Sequence, residues 1–429
     1  MLNFLFTKTP LYFLIQSIWR DEAFSYLLAK KNFFEIITLS SKDFTPPLYY
    51  LILHFWMKIF ESSEIALRSL SFIFYWGTVY LGFLFLENIF KTNIKKAFFY
   101  TLLIAINPLL LYYAFEARAY SMFAFFSALS FYAFYQKKSR LYLFSTIAGL
   151  YTHYFMLFVV FIQFFYKKSK EQFISLASFL PWLVFVVLNG GFNFQSFWIK
   201  KVPLTFKNIV SFIGELYTGY EKDFVFFDKN IFNLSLFLLM IVIWGFFLLK
   251  NFKKNEKRLF VYLFIWALFV PFFINIFSFI KPVFLPRYLI FASLGLSLLI
   301  IFIIDKSSLI LKLIILSILL NFTFNYHKLQ IKERKKSDFR KIVKEIDHLS
   351  SKNDYIYVLN ELDFFPVIYY VDSDKKDNVY IWGKTYEEIP NYVGKVLIPK
   401  EKIANSLPNY PQKAFIITPD GNYSIQALY

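Results

Sequence analysis

IFNLSLFLLMIVIWGFFLLKNFKKNEKRLFVYLFIWALFVPFFINIFSF, residues 231–279, decides the fold class. Its two apolar runs, 231–249 and 259–279, each approach the ~20 residues that cross a bilayer as a helix. Between them lie Lys250, Lys253, Lys254, Lys257 and Arg258. A short basic hinge between two apolar runs marks the cytoplasmic side of a membrane protein. Working outward, the pattern recurs at 3–19, 64–90, 97–114, 119–136, 141–152, 154–166, 172–189, 288–304 and 308–325. The runs predict a polytopic all-α membrane protein with about eleven spans, the short pair around His153 included. Three further basic clusters fall in loops of the same parity: Lys91, Lys95, Lys96; Lys137, Lys138, Arg140; and Lys167, Lys168, Lys170. One orientation satisfies them all: a multi-pass cytoplasmic (inner) membrane protein with a cytoplasmic N-terminus.

Composition agrees. The chain is 58% hydrophobic and 23% aromatic, outside the range of soluble domains. The net charge of +18 would suit nucleic acid, but the basic residues flank spans rather than forming a basic face with interleaved aromatics, so no nucleic-acid partner is expected. The absence of cysteine excludes disulfides, thiolate catalysis and cysteine-ligated metal. The first apolar run lacks a basic start and a small-residue cleavage site, so it is expected to stay as the first span.

The character changes at about residue 327. Ser337 is placed to cap a helix whose apolar positions Phe339, Ile342, Val343, Ile346 and Leu349 follow helical spacing. The runs DYIYVLN from Asp354, NVYIW from Asn378 and KAFIITP from Lys413 read as strands. The expectation is a transmembrane domain over 1–326 and a small extracytoplasmic α/β domain over 327–429. No Gly-rich phosphate loop follows its first strand, so a nucleotide site is not expected there.

Ionisable residues at a membrane edge are costly and read first as functional. Four groups fall on the outer side of the predicted topology: Asp21-Glu22; Asp43 before Pro46-Pro47; Glu116, Arg118 and Tyr120; and Lys281 with Arg287 and Tyr288. A carboxylate can take a proton from a hydroxyl nucleophile, and a guanidinium can hold phosphate through paired hydrogen bonds. Together they equip a chain for glycosyl transfer from a lipid-phosphate sugar.

At this point the chain resembles a known group. W-x-D-E at 19–22 and D-x-x-P-P-L-Y-Y at 43–50 are similar to the polytopic glycosyltransferases of the GT-C superfamily. The likeness is to family 39-type enzymes, the protein O-mannosyltransferases and aminoarabinose transferases. E-A-R-A-Y at 116–120, Y-T-H-Y-F at 151–155, P-R-Y at 286–288 and S-D-F-R-K-I at 337–342 extend it over the whole chain. The resemblance implies a polyprenyl-phosphate sugar donor, transfer outside the cytoplasm, and partners that are membrane lipids and an acceptor of open identity. It implies Asp21 as general base, Glu22 as support for the acceptor site or for the position of Asp21, and Arg287 and Lys281 at the donor phosphate. Arg118 is a second phosphate contact or a partner of Glu116. The short outer segment after Asp43 implies that the acceptor-site helices of larger relatives are trimmed.

Plainer readings stand beside these. Acids favour helix N-termini, which alone would explain Asp21-Glu22. Asp43 fits a turn, with Pro46-Pro47 setting the entry of a helix. His153, alone between apolar runs, reads as an interface residue lining the site rather than a metal ligand. Arg287 at the end of a span can snorkel to headgroups, and Lys200 and Lys201 near Trp198 can meet anionic lipid. No cofactor is required on this reading; a divalent ion stays open, though spacing gives Asp21, Glu22 and His153 no support as ligands. The competing function is a transporter or lipid flippase, which calls for charges within spans or paired broken helices.

Overall fold

The computed structural model describes residues 2–191, 204–221 and 228–428. Lys200, Lys201 and Trp198 lie outside the described residues. Among those described, six helices are long and apolar enough to cross a membrane: Glu64–Ile89, Lys170–Leu188, Lys229–Asn251, Lys254–Phe277, Pro286–Lys306 and Leu309–Glu333. Their outward faces carry apolar side chains such as Phe173, Ile174, Leu180, Phe247, Leu313 and Ile314, all exposed in the isolated chain. Apolar surface on this scale marks a lipid-facing protein. The chain is a multi-pass membrane protein.

The remaining expected spans are built from shorter pieces. The run 3–19 is broken by Pro10 into helices Leu2–Lys8 and Tyr12–Ile15. The run 97–114 divides into Ile94–Ala105 and Pro108–Tyr113, where Pro108 takes a first-turn position and the Asn107 side chain accepts from the Leu110 N–H. Tyr120–Tyr135, Ser139–Leu150 and Met156–Tyr166 follow.

The chain forms two compact units. The first comprises 1–13, 68–183 and 199–333. Its centre is the helix Ile290–Lys306, buried from Ile290 to Ile304. Gly295 lets Trp266 approach so closely that an added Cβ would lie 2.8 Å from the ring. The Trp266 indole donates to the Phe291 carbonyl at 2.7 Å and stacks on Phe131. In lipid, helices associate through close packing and interhelical hydrogen bonds rather than water exclusion. Accordingly Ser130, Thr146, Gln163 and Tyr142 join three helices in one buried hydrogen-bonded cluster.

The second unit comprises 14–67, 184–198 and 334–429. Its sheet lies wholly in the C-terminal stretch. The order is β3-β2-β1-β4-β5: β1 Tyr355–Val358, β2 Val379–Trp382, β3 Ile403–Ala404, β4 Ala414–Ile417 and β5 Tyr423–Gln426. The first four are parallel and β5 is antiparallel to β4. The three expected strand runs are β1, β2 and β4. The helix Phe339–Leu349 buries Phe339, Val343 and Ile346 as its spacing predicts. Its cap is Asp338, whose carboxylate accepts from the Lys341 N–H, and not the expected Ser337. Asp and Ser are comparably good caps, so a neighbouring pair leaves the choice to the chain's entry geometry.

The stretch after the first span holds three helices, Arg20–Ala29, Phe33–Lys42 and Leu48–Phe60, of which only the last lies in the short segment between Asp43 and the second span. The second opens on a capping box in which Asn32 and Glu35 satisfy each other's backbone N–H groups. Pro47 stands at the cap of the third, as its fixed φ allows.

Candidate active-site residues

The acids predicted at 21, 22 and 43 all fall in the second unit. Asp21 occupies the first turn of the Arg20–Ala29 helix and is half-buried; its carbonyl accepts from Ser25 Oγ at 3.0 Å. A carboxylate there is favoured by the positive end of the helix dipole. Glu22 is wholly buried. Its Oε2 accepts from the Trp19 N–H at 2.9 Å and from Lys336 Nζ at 2.9 Å, an ion pair with both side chains almost fully enclosed. Arg20 on the other side donates from Nε to Asp363 Oδ1 at 2.7 Å. Burial of Asp363 raises its pKa, against which the Arg20 charge works. Asp43 caps the C-terminal end of Phe33–Lys42 and is half-buried.

The other predicted residues fall in the first unit. Glu116 and Arg118 lie in the loop between Pro108–Tyr113 and Tyr120–Tyr135, where the Arg118 N–H donates to the Glu116 carbonyl at 2.8 Å. The buried Glu116 carboxylate accepts from Tyr112 Oη at 2.7 Å. The Arg118 guanidinium stands 5.8 Å from the centre of the Tyr120 ring, and the Arg287 guanidinium 5.8 Å from that of Tyr288. The rings bind these positions into one cluster: Tyr120 is 5.9 Å from His153, His153 is 5.5 Å from Tyr288, and Tyr120 is 6.2 Å from Tyr288. Tyr113 joins at 4.8 Å from Tyr120. Ring faces attract cations, so each of these two rings can hold a guanidinium beside the cluster.

His153 stacks on Phe123 with ring centres 4.7 Å apart, and its Nδ1 accepts from the Phe155 N–H at 3.2 Å. Burial, reinforced by the Arg118 charge, pushes its pKa down to about 3. The ring is therefore a neutral hydrogen-bonding surface, with its proton assigned to Nε2. Lys281 lies in the turn before Arg287, its N–H on the Phe277 carbonyl. Among the described residues no group of three or more His, Asp or Glu side chains is arranged to hold a metal ion.

One member escaped the sequence reading. Glu221 Oε2 lies 3.5 Å from Arg287 Nη1, and its Oε1 accepts from Tyr113 Oη at 3.3 Å. Its position in a long outer loop was the one signal available, and other acids in that loop share it. Lys336 and Asp363, which hold the neighbours of Asp21, were missed for a different reason: their partners lie more than three hundred residues away in sequence.

No family model matches the sequence, and no curated protein matches it. Solved structures do. ArnT from Cupriavidus metallidurans in the apo state aligns with a TM-score of 0.57 and 11% identity, over 88% of this chain and 83% of that one. The same protein bound to undecaprenyl phosphate aligns with a TM-score of 0.62 and 11% identity, over 96% of this chain and 91% of that one. The fold implied by the sequence resemblance is thus observed: this chain shares the fold of ArnT over nearly its whole length.

Proposed function

We propose that the chain is a membrane glycosyltransferase that moves a sugar from a polyprenyl-phosphate donor to an acceptor hydroxyl on the extracytoplasmic face. The observation that carries this reading is that Arg118 and Arg287 each stand beside a ring of one aromatic cluster, within a fold shared with an ArnT solved bound to undecaprenyl phosphate. In the proposed reaction Asp21 takes the proton of the acceptor hydroxyl. The hydroxyl oxygen forms its bond to the anomeric carbon as the bond from that carbon to the phosphate oxygen breaks. The electron pair leaves with the phosphate, whose charge Arg287 and Arg118 stabilise, with Lys281 adding to the local positive charge. A single direct displacement inverts the anomeric configuration. Glu22 supports Asp21 by holding its helix turn, Asp43 and Glu116 are the supporting acids, and Tyr120, Tyr288 and His153 line the donor side.

The basic loops put residues 91–96, 137–140, 167–170 and 250–258 in the cytoplasm, which directs Asp21, Arg287 and the sheet domain outward. A transporter is less well supported, since the charged residues gather at helix ends.

The test is transfer of labelled sugar from a panel of polyprenyl-phosphate donors by the purified chain in lipid. Asp21→Asn, folded and still binding donor, is expected to lose about 10²–10⁴-fold in turnover, the usual contribution of a general base. Undiminished turnover in Asp21→Asn removes Asp21 from the role. Failure of the wild type to bind any donor removes the function.

A further inference from the structure

The strip from Ile15 to Glu22 is held almost residue by residue by the chain that follows Arg334. The Ile15 carbonyl accepts from Arg340 Nη2 at 2.9 Å. Gln16 Oε1 accepts from the Lys336 N–H at 2.9 Å. Ser17 Oγ accepts from the Arg340 N–H and donates to Tyr370 Oη, each at 3.2 Å. The Ile18 N–H donates to the same Tyr370 Oη at 2.7 Å, and that hydroxyl donates to Glu64 at 2.8 Å. Arg20 pairs with Asp363 and Glu22 with Lys336. Tyr370 thereby uses its one proton and both lone pairs, so its orientation is fixed from three sides.

This is more than docking requires. Apolar contact already joins the same elements: Phe24 meets Phe365 at 5.9 Å and Tyr26 meets Tyr369 at 4.9 Å between ring centres. At Gly394, whose φ of +84° suits glycine, an added Cβ would lie 2.4 Å from the Phe24 ring. Packing of that kind fixes a helix against its neighbour. The polar contacts fix something narrower, the backbone entering the Arg20–Ala29 helix and the two side chains flanking Asp21. They anchor residues 20 and 22 by charge-assisted hydrogen bonds, which are short and directional.

We propose that Lys336, Asp363 and Tyr370 are positioning residues for Asp21, making the C-terminal sheet domain a part of the catalytic machinery that touches no substrate. The proposal rests on the reading of Asp21 as the base. Catalysis tolerates little error in such a group, since a displacement of 1 Å can cost 10²-fold.

The test uses the full chain in lipid and compares Tyr370→Phe, Asp363→Asn and Asp363→Glu in two backgrounds, wild type and Asp21→Asn. In the wild-type background Tyr370→Phe and Asp363→Asn are expected to lower kcat by about 10- to 100-fold with donor KM within about twofold. Asp363→Glu, which keeps the charge pair with Arg20, is expected to recover most of the rate. In the Asp21→Asn background the same substitutions are expected to change residual turnover by less than about twofold, because the group they position is gone. Equal losses in both backgrounds overturn the proposal, since they mark a general structural role. An unchanged kcat in folded Tyr370→Phe and Asp363→Asn overturns it as well. If Tyr370→Phe does not fold, the Asp363 pair decides alone. Full turnover in Asp21→Asn by itself is a distinct result: it sinks the assignment of the base, and the positioning proposal with it.

Discussion

The two units treat their charges in opposite ways. In the second, Glu22 and Lys336 are enclosed together, and Arg20 meets Asp363 at 2.7 Å. In the first, Arg118 and Arg287 rest beside ring faces, and the ion pair of Arg287 to Glu221 is long at 3.5 Å. Enclosed pairs at short distance are costly to break, whereas a stretched pair is coupled more weakly. The contrast matches the two proposed tasks. A base needs fixed aim, and an anion-binding site needs counter-charges that give way when the anion arrives.

The largest break in that contrast comes from the enclosed pair. Lys336→Ala removes the enclosed cation that pairs with the buried Glu22 carboxylate, and is expected to cost about 3–5 kcal/mol of stability. Denaturant or thermal unfolding of the purified chain checks it, with Lys341→Ala as control: its ion pair to Glu345 is solvent-exposed. Next comes the other side of the comparison. Arg287→Ala removes a charged hydrogen-bonding group worth about 1.5–3 kcal/mol, so donor binding should weaken by about 10- to 100-fold while folding is retained.

A smaller effect of opposite sign sharpens the same point. Glu221→Gln removes the carboxylate charge that faces Arg287 across 3.5 Å, and a pair coupled this weakly contributes about 0.2–1 kcal/mol. Donor affinity should rise, by up to about fivefold. A fall in affinity would instead mean that Glu221 orders Arg287 for the phosphate.

The smallest expected effect concerns pH. With the His153 pKa depressed to about 3, the folded state resists protonation that the unfolded chain accepts near the ordinary value of about 6.5. His153 therefore contributes stability that is present above about pH 6.5 and lost as the pH falls toward 3. Turnover between pH 6.5 and 8 should show no inflection from this ring. His153→Gln should leave the shape of the rate profile there unchanged.

Much of this was legible in the sequence because hydrophobic runs and basic loops are local signals. The span at 288–304, the strands at 355–358, 379–382 and 414–417, and the apolar face of Phe339–Leu349 each follow from composition within a few turns of chain. Arg118, Tyr120, His153, Arg287 and Tyr288 were singled out from separate motifs, and they share one cluster. The helices at 20–60 were less visible. The capping box at Asn32 and Glu35 is a readable signal of a helix start there. Glu22 shows a harder limit. It is committed to the Trp19 N–H and to Lys336, and the second of these partners is too distant in the chain to be read locally.

The lateral order of the sheet has a consequence for how the protein is made. β1 lies between β2 and β4, and β4 is synthesised after Lys336, Asp363 and Tyr370. Until β4 emerges, one edge of β1 stands open, and the loop after β1 that carries Asp363 lacks its finished support. A chain halted before residue 414 would carry Lys336, Asp363 and Tyr370, while the sheet beside them lacked β4 and β5. Firm support for the turn that holds Asp21 would then wait on those two strands, so a copy cut short at that point is expected to hold that turn loosely.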